Sequence, residues 1–257
     1  MIVKTIVLLA LLTSFVNSAD TQNQNHYGHP KNIKQSAPNE MYELGLAYYE
    51  GDSVPQDYEK AFSLFKKAAN QGYAPAQLHL GFMYYQSSVE QNYQKAFEWV
   101  QQSANQGYAD AQFNLGVMYH ESIGIEQDYP KAMEWYLVAA NNGSSHAQNN
   151  IGELYYFGQG VKQNYAKALE WYTKAADQGL DVAQLNIGGL YENGYGVPQD
   201  YDKAFEWYQK AADQGNQEAS NRIGQLVMNG KIDDKDIVIY STQETGLTLG
   251  DIEKIDQ

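Results

Sequence analysis

The sequence predicts an all-α fold: a right-handed α/α superhelical solenoid of five helix-turn-helix repeats plus a C-terminal half-repeat, over residues 38–230. Three observations predict it. The first is self-similarity. Gly45, Gly81, Gly116, Gly152, Gly188 and Gly224 are spaced by 36, 35, 36, 36 and 36 residues. Each follows a Leu or Ile, and three residues on comes Tyr48, Tyr84, Tyr119, Tyr155, Tyr191 and, last, Val227. A fixed period in this range marks stacked supersecondary units. The second is periodicity. Ala76, Leu80, Gly81 and Tyr84 share one face of a helix, as do Tyr165, Ala168, Tyr172, Ala175 and Ala176. The third is punctuation. Asp57, Asn92, Asp128, Asn164 and Asp200 stand where a second helix needs an N-cap, and Gly72, Gly107, Gly143, Gly179 and Gly215 where it needs a C′ glycine.

Taken along the chain, residues 1–18 read as a secretory signal peptide: Lys4, an apolar run from Thr5 to Val16, then small residues with cleavage expected after Ser18. Residues 19–37 are a polar leader with almost no large apolar side chains and are expected to be disordered. The first helix of each repeat carries the glycine in its middle. A mid-helix Gly costs about 1 kcal/mol relative to Ala, so its recurrence predicts that another helix passes close to that point. The first helix ends at a glycine-rich corner, seen whole in residues 156–161 and 192–197. The second helix starts at the N-cap, and its Tyr and Trp columns read as core. Lys95/Glu98, Lys131/Glu134, Lys167/Glu170 and Lys203/Glu206 read as i,i+3 pairs on solvated faces, worth a few tenths of a kcal/mol each. One such hairpin cannot bury both its faces, so the repeats must stack. Residues 231–257 leave the pattern and read as a capping or docking tail.

Composition narrows the function. The 257 residues hold 31 acidic and 17 basic side chains, for a net charge of −14, and no cysteine. So acidic a chain is a poor partner for nucleic acid or for an anionic membrane surface. Without cysteine there is no disulfide framework, no thiolate metal site and no cysteine nucleophile. Mean hydropathy of −0.58 excludes a polytopic membrane protein.

The run Gly160-Val-Lys-Gln-Asn-Tyr-Ala-Lys-Ala-Leu-Glu-Trp-Tyr-Thr-Lys-Ala-Ala-Asp-Gln-Gly179 and the Ala-x3-Leu-Gly-x2-Tyr pattern before it resemble the Sel1-like repeat (SLR), a branch of the tetratricopeptide-type solenoids. Repeat two departs at its shortened corner around Val89, and repeat one has Leu64 where the later repeats have Trp. The resemblance implies scaffold work in protein complexes, including exported bacterial proteins that engage envelope or host proteins, with a protein or peptide as partner. It also implies a concave groove lined by the first helices, with exposed positions three before, one after and four after the glycine. These are Tyr42, Leu46 and Tyr49; Leu78, Phe82 and Tyr85; Phe113, Val117 and His120; Asn149, Glu153 and Tyr156; and Leu185, Gly189 and Glu192. The groove so drawn is aromatic at its N-terminal end and acidic at its C-terminal end.

Catalytic constellations are scarce. Ser63-Leu-Phe-Lys66 matches S-x-x-K, and some exported members of the resembling family have been described as β-lactamase-like. However, S-D-N and K-T-G are absent, and Ser63 occupies the solvent-facing column held elsewhere by Glu98, Glu134, Glu170 and Glu206. His26 and His29 are two possible ligands in the leader, too few for a metal site. Gly158-Gln-Gly160 and Gly194-Tyr-Gly196 are corners, so no phosphate loop is read. The expectation is an exported scaffold without cofactor. The alternatives are a weak β-lactam hydrolase or an inhibitor of an enzyme in the same compartment.

Overall fold

The computed structural model describes residues 37–86 and 89–232. Eleven helices alternate along them: α1 (Pro38–Glu50), α2 (Tyr58–Asn70), α3 (Ala74–Gln86), α4 (Tyr93–Asn105), α5 (Ala109–Glu121), α6 (Tyr129–Asn141), α7 (Ser145–Phe157), α8 (Tyr165–Ala176), α9 (Asp181–Asn193), α10 (Tyr201–Asp213) and α11 (Gln217–Met228). Each packs on the helices before and after it in the chain, the arrangement of an α/α solenoid. Odd-numbered helices are the first members of the repeats, even-numbered ones the second, and α11 is the half-repeat. The signal-peptide and leader readings, His26 and His29 included, and residues 233–257 of the tail lie outside the described residues.

The mid-helix glycines are contact points. A Cβ at Gly45, Gly116, Gly152 or Gly188 would stand 2.5–2.6 Å from the ring of Phe65, Tyr136, Tyr172 or Tyr208, and one at Gly81 2.8 Å from Val100. In each repeat the second helix crosses the first at this point with a large side chain. Gly224, with no second helix following it among the described residues, would meet nothing within 4 Å. Small residues complete the fit: Ala61, Ala76, Ala96, Ala111, Ala132, Ala147, Ala168, Ala183, Ala204 and Ala219 are all fully buried.

The corners close through backbone and side chain together. The side chains of Asp57, Asn92, Asp128, Asn164 and Asp200 accept from the backbone N–H three residues on, satisfying an orphan donor of each second helix. Their own N–H groups donate to the carbonyls of Tyr48, Tyr84, Tyr119, Tyr155 and Tyr191. Just before each cap, Gln56, Gln91, Gln127, Gln163 or Gln199 donates to the next carbonyl of the first helix, at 2.7–3.2 Å. The sequence pairing of Lys with Glu at i,i+3 is corrected here. Lys131 and Lys203 bridge back to the caps Asp128 and Asp200, and Lys95 bridges to Glu90. Together with Lys60 and Lys167 they stand 5.0–5.4 Å over the rings of Tyr48, Tyr84, Tyr119, Tyr155 and Tyr191. Closing the corner brings that ring within reach. The ring, joined by the cap anion where the cap is aspartate, outweighs a fully solvated carboxylate partner.

The core is continuous from Met41 to Leu154 and then divides into two smaller clusters, Ala168–Leu190 and Ala204–Ile232. The first residues of the tail take part, since Ile232 is buried against α10 and α11.

Candidate functional site: the first-helix face

The first helices present the positions read as a groove, and the structure sorts them. Tyr42, Leu78, Phe113 and Asn149, three before the glycine, are buried, and only Leu185 keeps some exposure. The reason is geometric. A side chain here wedges between its own second helix and the next repeat: the Tyr42 ring meets Phe65 at 5.7 Å and His79 at 5.3 Å, and Phe113 meets Tyr136 and His146, both at 5.9 Å. Val117 and His120 are buried too. Leu78, Phe113 and Val117 therefore belong to the core and present no surface. The side chains that remain partly exposed are Leu46, Tyr49, Phe82, Tyr85, Tyr156 and Glu192, with Gly189 beside them, while Glu153 keeps some exposure along its length but encloses its carboxyl.

Neighbouring first helices are tied across this face. Tyr42 Oη lies 3.3 Å from His79 Nδ1, Tyr49 donates to Gln86 at 3.0 Å, and Asn186 donates to Asn149 at 3.0 Å. In repeats three to five further polar bonds form on this side, within a first helix or between the two helices of one repeat. Asn149 also donates to Glu153 at 3.0 Å, Tyr136 Oη lies 3.2 Å from His120 Nδ1, and Tyr208 donates to Glu192 at 2.5 Å. Burial dominates the electrostatics. It pushes the Glu153 carboxyl up to about 7, with Glu121 adding to the rise and the Asn149 bond opposing it. It holds His79 down to about 4 and lowers His120. Both imidazoles are neutral at ordinary pH, packed as polar core groups.

Two features were missed in the sequence. The tyrosine opening each second helix was read as core, yet Tyr58 and Tyr93 are 39% and 45% exposed and pair edge-on with Tyr49 and tilted with Tyr85, both at 5.4 Å. Tyr156 meets Tyr165 at 5.3 Å, and Tyr195 stacks on Tyr165 at 4.7 Å. Their position at N1 of a helix, the least enclosed turn, was the available signal. A second column, Gln77, Gln112, Gln148 and Gln184, bonds to Gln106, Asn142, Gln178 and Gln214 at the end of the second helix. It recurs at the repeat period and is structural.

Ser63 is exposed on α2, and Lys66 holds its ammonium 5.8 Å over the Phe62 ring. Among the described residues no three His, Cys, Asp or Glu side chains are grouped to hold a metal ion. Among them, too, no helix is long and apolar enough to cross a membrane.

Comparison with known proteins agrees with this geometry. Sel1 repeats are recognised at residues 41–73, 74–108, 109–144, 145–180 and 181–216. Among solved structures, the chain is similar to a protective antigen present in uropathogenic Escherichia coli strains and displaying an SLR fold, with 37% identity and a TM-score of 0.70 over 77% of this chain and 43% of that one. It is also similar to a Sel1 repeat protein from Oxalobacter formigenes, with 33% identity and a TM-score of 0.71 over 80% of this chain and 86% of that one. A Sel1-type protein from Klebsiella pneumoniae shares the fold at 18% identity, with a TM-score of 0.51 over 76% of this chain and 96% of that one. The chain thus spans less than half the length of the E. coli antigen. No curated protein matches it by sequence.

Proposed function

The chain belongs to the Sel1 repeat family, and on that premise we propose that it is an exported, non-enzymatic scaffold that holds a protein partner on its first-helix face. One observation carries the reading: the half-exposed side chains Leu46, Tyr49, Phe82, Tyr85 and Tyr156 recur at the repeat period along one set of helices. A periodic row of partly exposed apolar and aromatic groups suits a long contact built from many small anchors. Export rests on residues 1–18, and the antigen described for the similar E. coli protein is in keeping with it.

Photo-crosslinking from inside the native compartment tests the site. A crosslinker replacing Tyr85 or Phe82 captures one discrete protein, whereas the same group replacing Val138, exposed on the second helix α6, does not. Equal capture from both positions, or none from Tyr85, overturns the reading. The mature N-terminus, read by intact-mass spectrometry, is expected at Ala19. An unprocessed Met1 would remove the case for cleavage.

A further inference from the structure

Charge is divided between the two layers of helices. The first helices carry nine carboxylates (Glu40, Glu43, Glu50, Asp110, Glu121, Glu153, Asp181, Glu192 and Glu218) against a single Arg222, and no lysine. The second helices carry nine lysines against seven carboxylates. The first helices are therefore the net acidic layer and the second helices a slightly basic one, and Glu50 and Glu192 stand next to or within the aromatic row.

The rings along that face pack in pairs, with Tyr58, Tyr93 and Tyr195 exposed. On the other side of the corners the protein already covers its rings with cations, with a lysine over each of Tyr48, Tyr84, Tyr119, Tyr155 and Tyr191. In the column of Tyr58, Tyr93 and Tyr165 the last member, Tyr201, has Lys231 4.9 Å over its ring, and Arg222 acts on Tyr156, whereas no lysine is placed over Tyr49, Tyr58, Tyr85, Tyr93, Tyr165 or Tyr195 among the described residues. A guanidinium or ammonium within about 6 Å of a ring centroid is attracted to its face. Here carboxylates lie alongside: Glu50 follows Tyr49 in the chain, and Glu192 replaces the aromatic at the equivalent position in repeat five.

We propose that the occupant of the first-helix face is an extended, cationic segment of another protein, rich in arginine or lysine and held by this row of tyrosines and carboxylates. The inference rests on the scaffold reading above and adds the chemistry of the partner. Acidic and neutral segments lack the charge complementarity, and nucleic acid is repelled by the same field.

Fluorescence anisotropy of labelled peptides with the full chain tests it. Three peptides of equal length are compared: one alternating arginine with glycine and serine, one with glutamate in place of arginine, one with alanine. The arginine peptide binds, and the binding weakens as salt is raised. Glu50→Gln with Glu192→Gln weakens it roughly fivefold, the scale expected for two rim charges, and Tyr93→Ala weakens it further. Glu98→Gln with Glu134→Gln, on the second helices, leaves it within about twofold. Circular dichroism confirms that the variants remain helical. Equal binding of the alanine or glutamate peptide overturns the inference, as does an equal loss from the second-helix pair, which would mean only a diffuse acidic field. If a crosslinker at Tyr85 captures a partner that the arginine peptide does not displace, the scaffold reading stands and the cationic one falls. If neither crosslink nor peptide binding is seen, the scaffold reading itself fails.

Discussion

At the scale of the residue, Gly152 and Gly224 occupy the same place in their repeats and face opposite surroundings. A Cβ at Gly152 would drive into the buried Tyr172 ring at 2.6 Å, and one at Gly224 would enter open space. Overpacking costs about 1–3 kcal/mol, while helix propensity returns about 1 kcal/mol. Gly152→Ala should therefore lower unfolding stability, by up to about 2 kcal/mol, in denaturant titration, and Gly224→Ala should raise it by roughly 0.5–1 kcal/mol. A second residue-scale effect follows from Glu153. Its folded carboxyl titrates near 7 rather than its ordinary 4.5, so between those values the folded chain keeps a proton that the unfolded chain releases. Stability then falls as pH rises through that window. His79, depressed from 6.5 to about 4, does the opposite and costs stability as pH drops from 6.5 through 4. Melting temperatures of Glu153→Gln should lose the decline on the neutral side and keep the acid limb. An unchanged pH profile would refute the assignment. The glycines were legible because six repeats of an unfavourable residue demand a steric cause. Glu153 was not, since one carboxylate in a row of Leu46, Phe82, Val117 and Gly189 gives no sign in the sequence of how deep it sits.

At the scale of the element, the corner is the recurring device, and its caps alternate. Repeats one, three and five use Asp57, Asp128 and Asp200, while repeats two and four use Asn92 and Asn164. The backbone N–H of the lysine three residues on holds each of these aspartates below its ordinary carboxylate range. A carboxyl so depressed stabilises the fold above its unfolded value, and the contribution is lost as pH falls through the folded one. The first turns of α2, α6 and α10 should thus lose hydrogen-exchange protection in acid before those of α4 and α8. Asp128→Asn should make α6 behave like its asparagine-capped neighbours, and parallel loss in all five helices would contradict this. Asn164→Ala should cost about 1 kcal/mol at any pH. Caps and C′ glycines were readable because their chemistry is local. The lysine partners were not, because the ring that Lys95 or Lys131 covers belongs to the preceding helix and arrives only when the corner closes.

At the scale of the molecule, the same side chains account for a groove that was overdrawn and for a core that is uneven. Position by position, the sequence ranked repeats one to three as an aromatic surface and repeats four and five as a polar one. The structure turns much of the first surface inward: Tyr42, Leu78, Phe113 and Val117 join one core running from Met41 to Leu154. Where Asn149, Glu153 and Gly189 replace them, the core breaks, and α8 to α11 hold together in two smaller clusters. A helical motif and its period report that neighbours pack but not how far a side chain tilts between them, and for that reason the fold was legible and the depth of its face was not. In a linear array each repeat is stabilised only by its neighbours, so an interrupted core should open separately. Native-state hydrogen exchange should find α8 to α11 opening in sub-global steps at lower free energy than α3 to α6, whose amides exchange only on global unfolding. Replacing Asn149 by phenylalanine and Glu153 by valine, the residues of repeat three, should rejoin the clusters and raise the free energy of those steps. If the C-terminal helices already exchange with the rest, or if the double substitution leaves the gap unchanged, the division of the core has no energetic meaning.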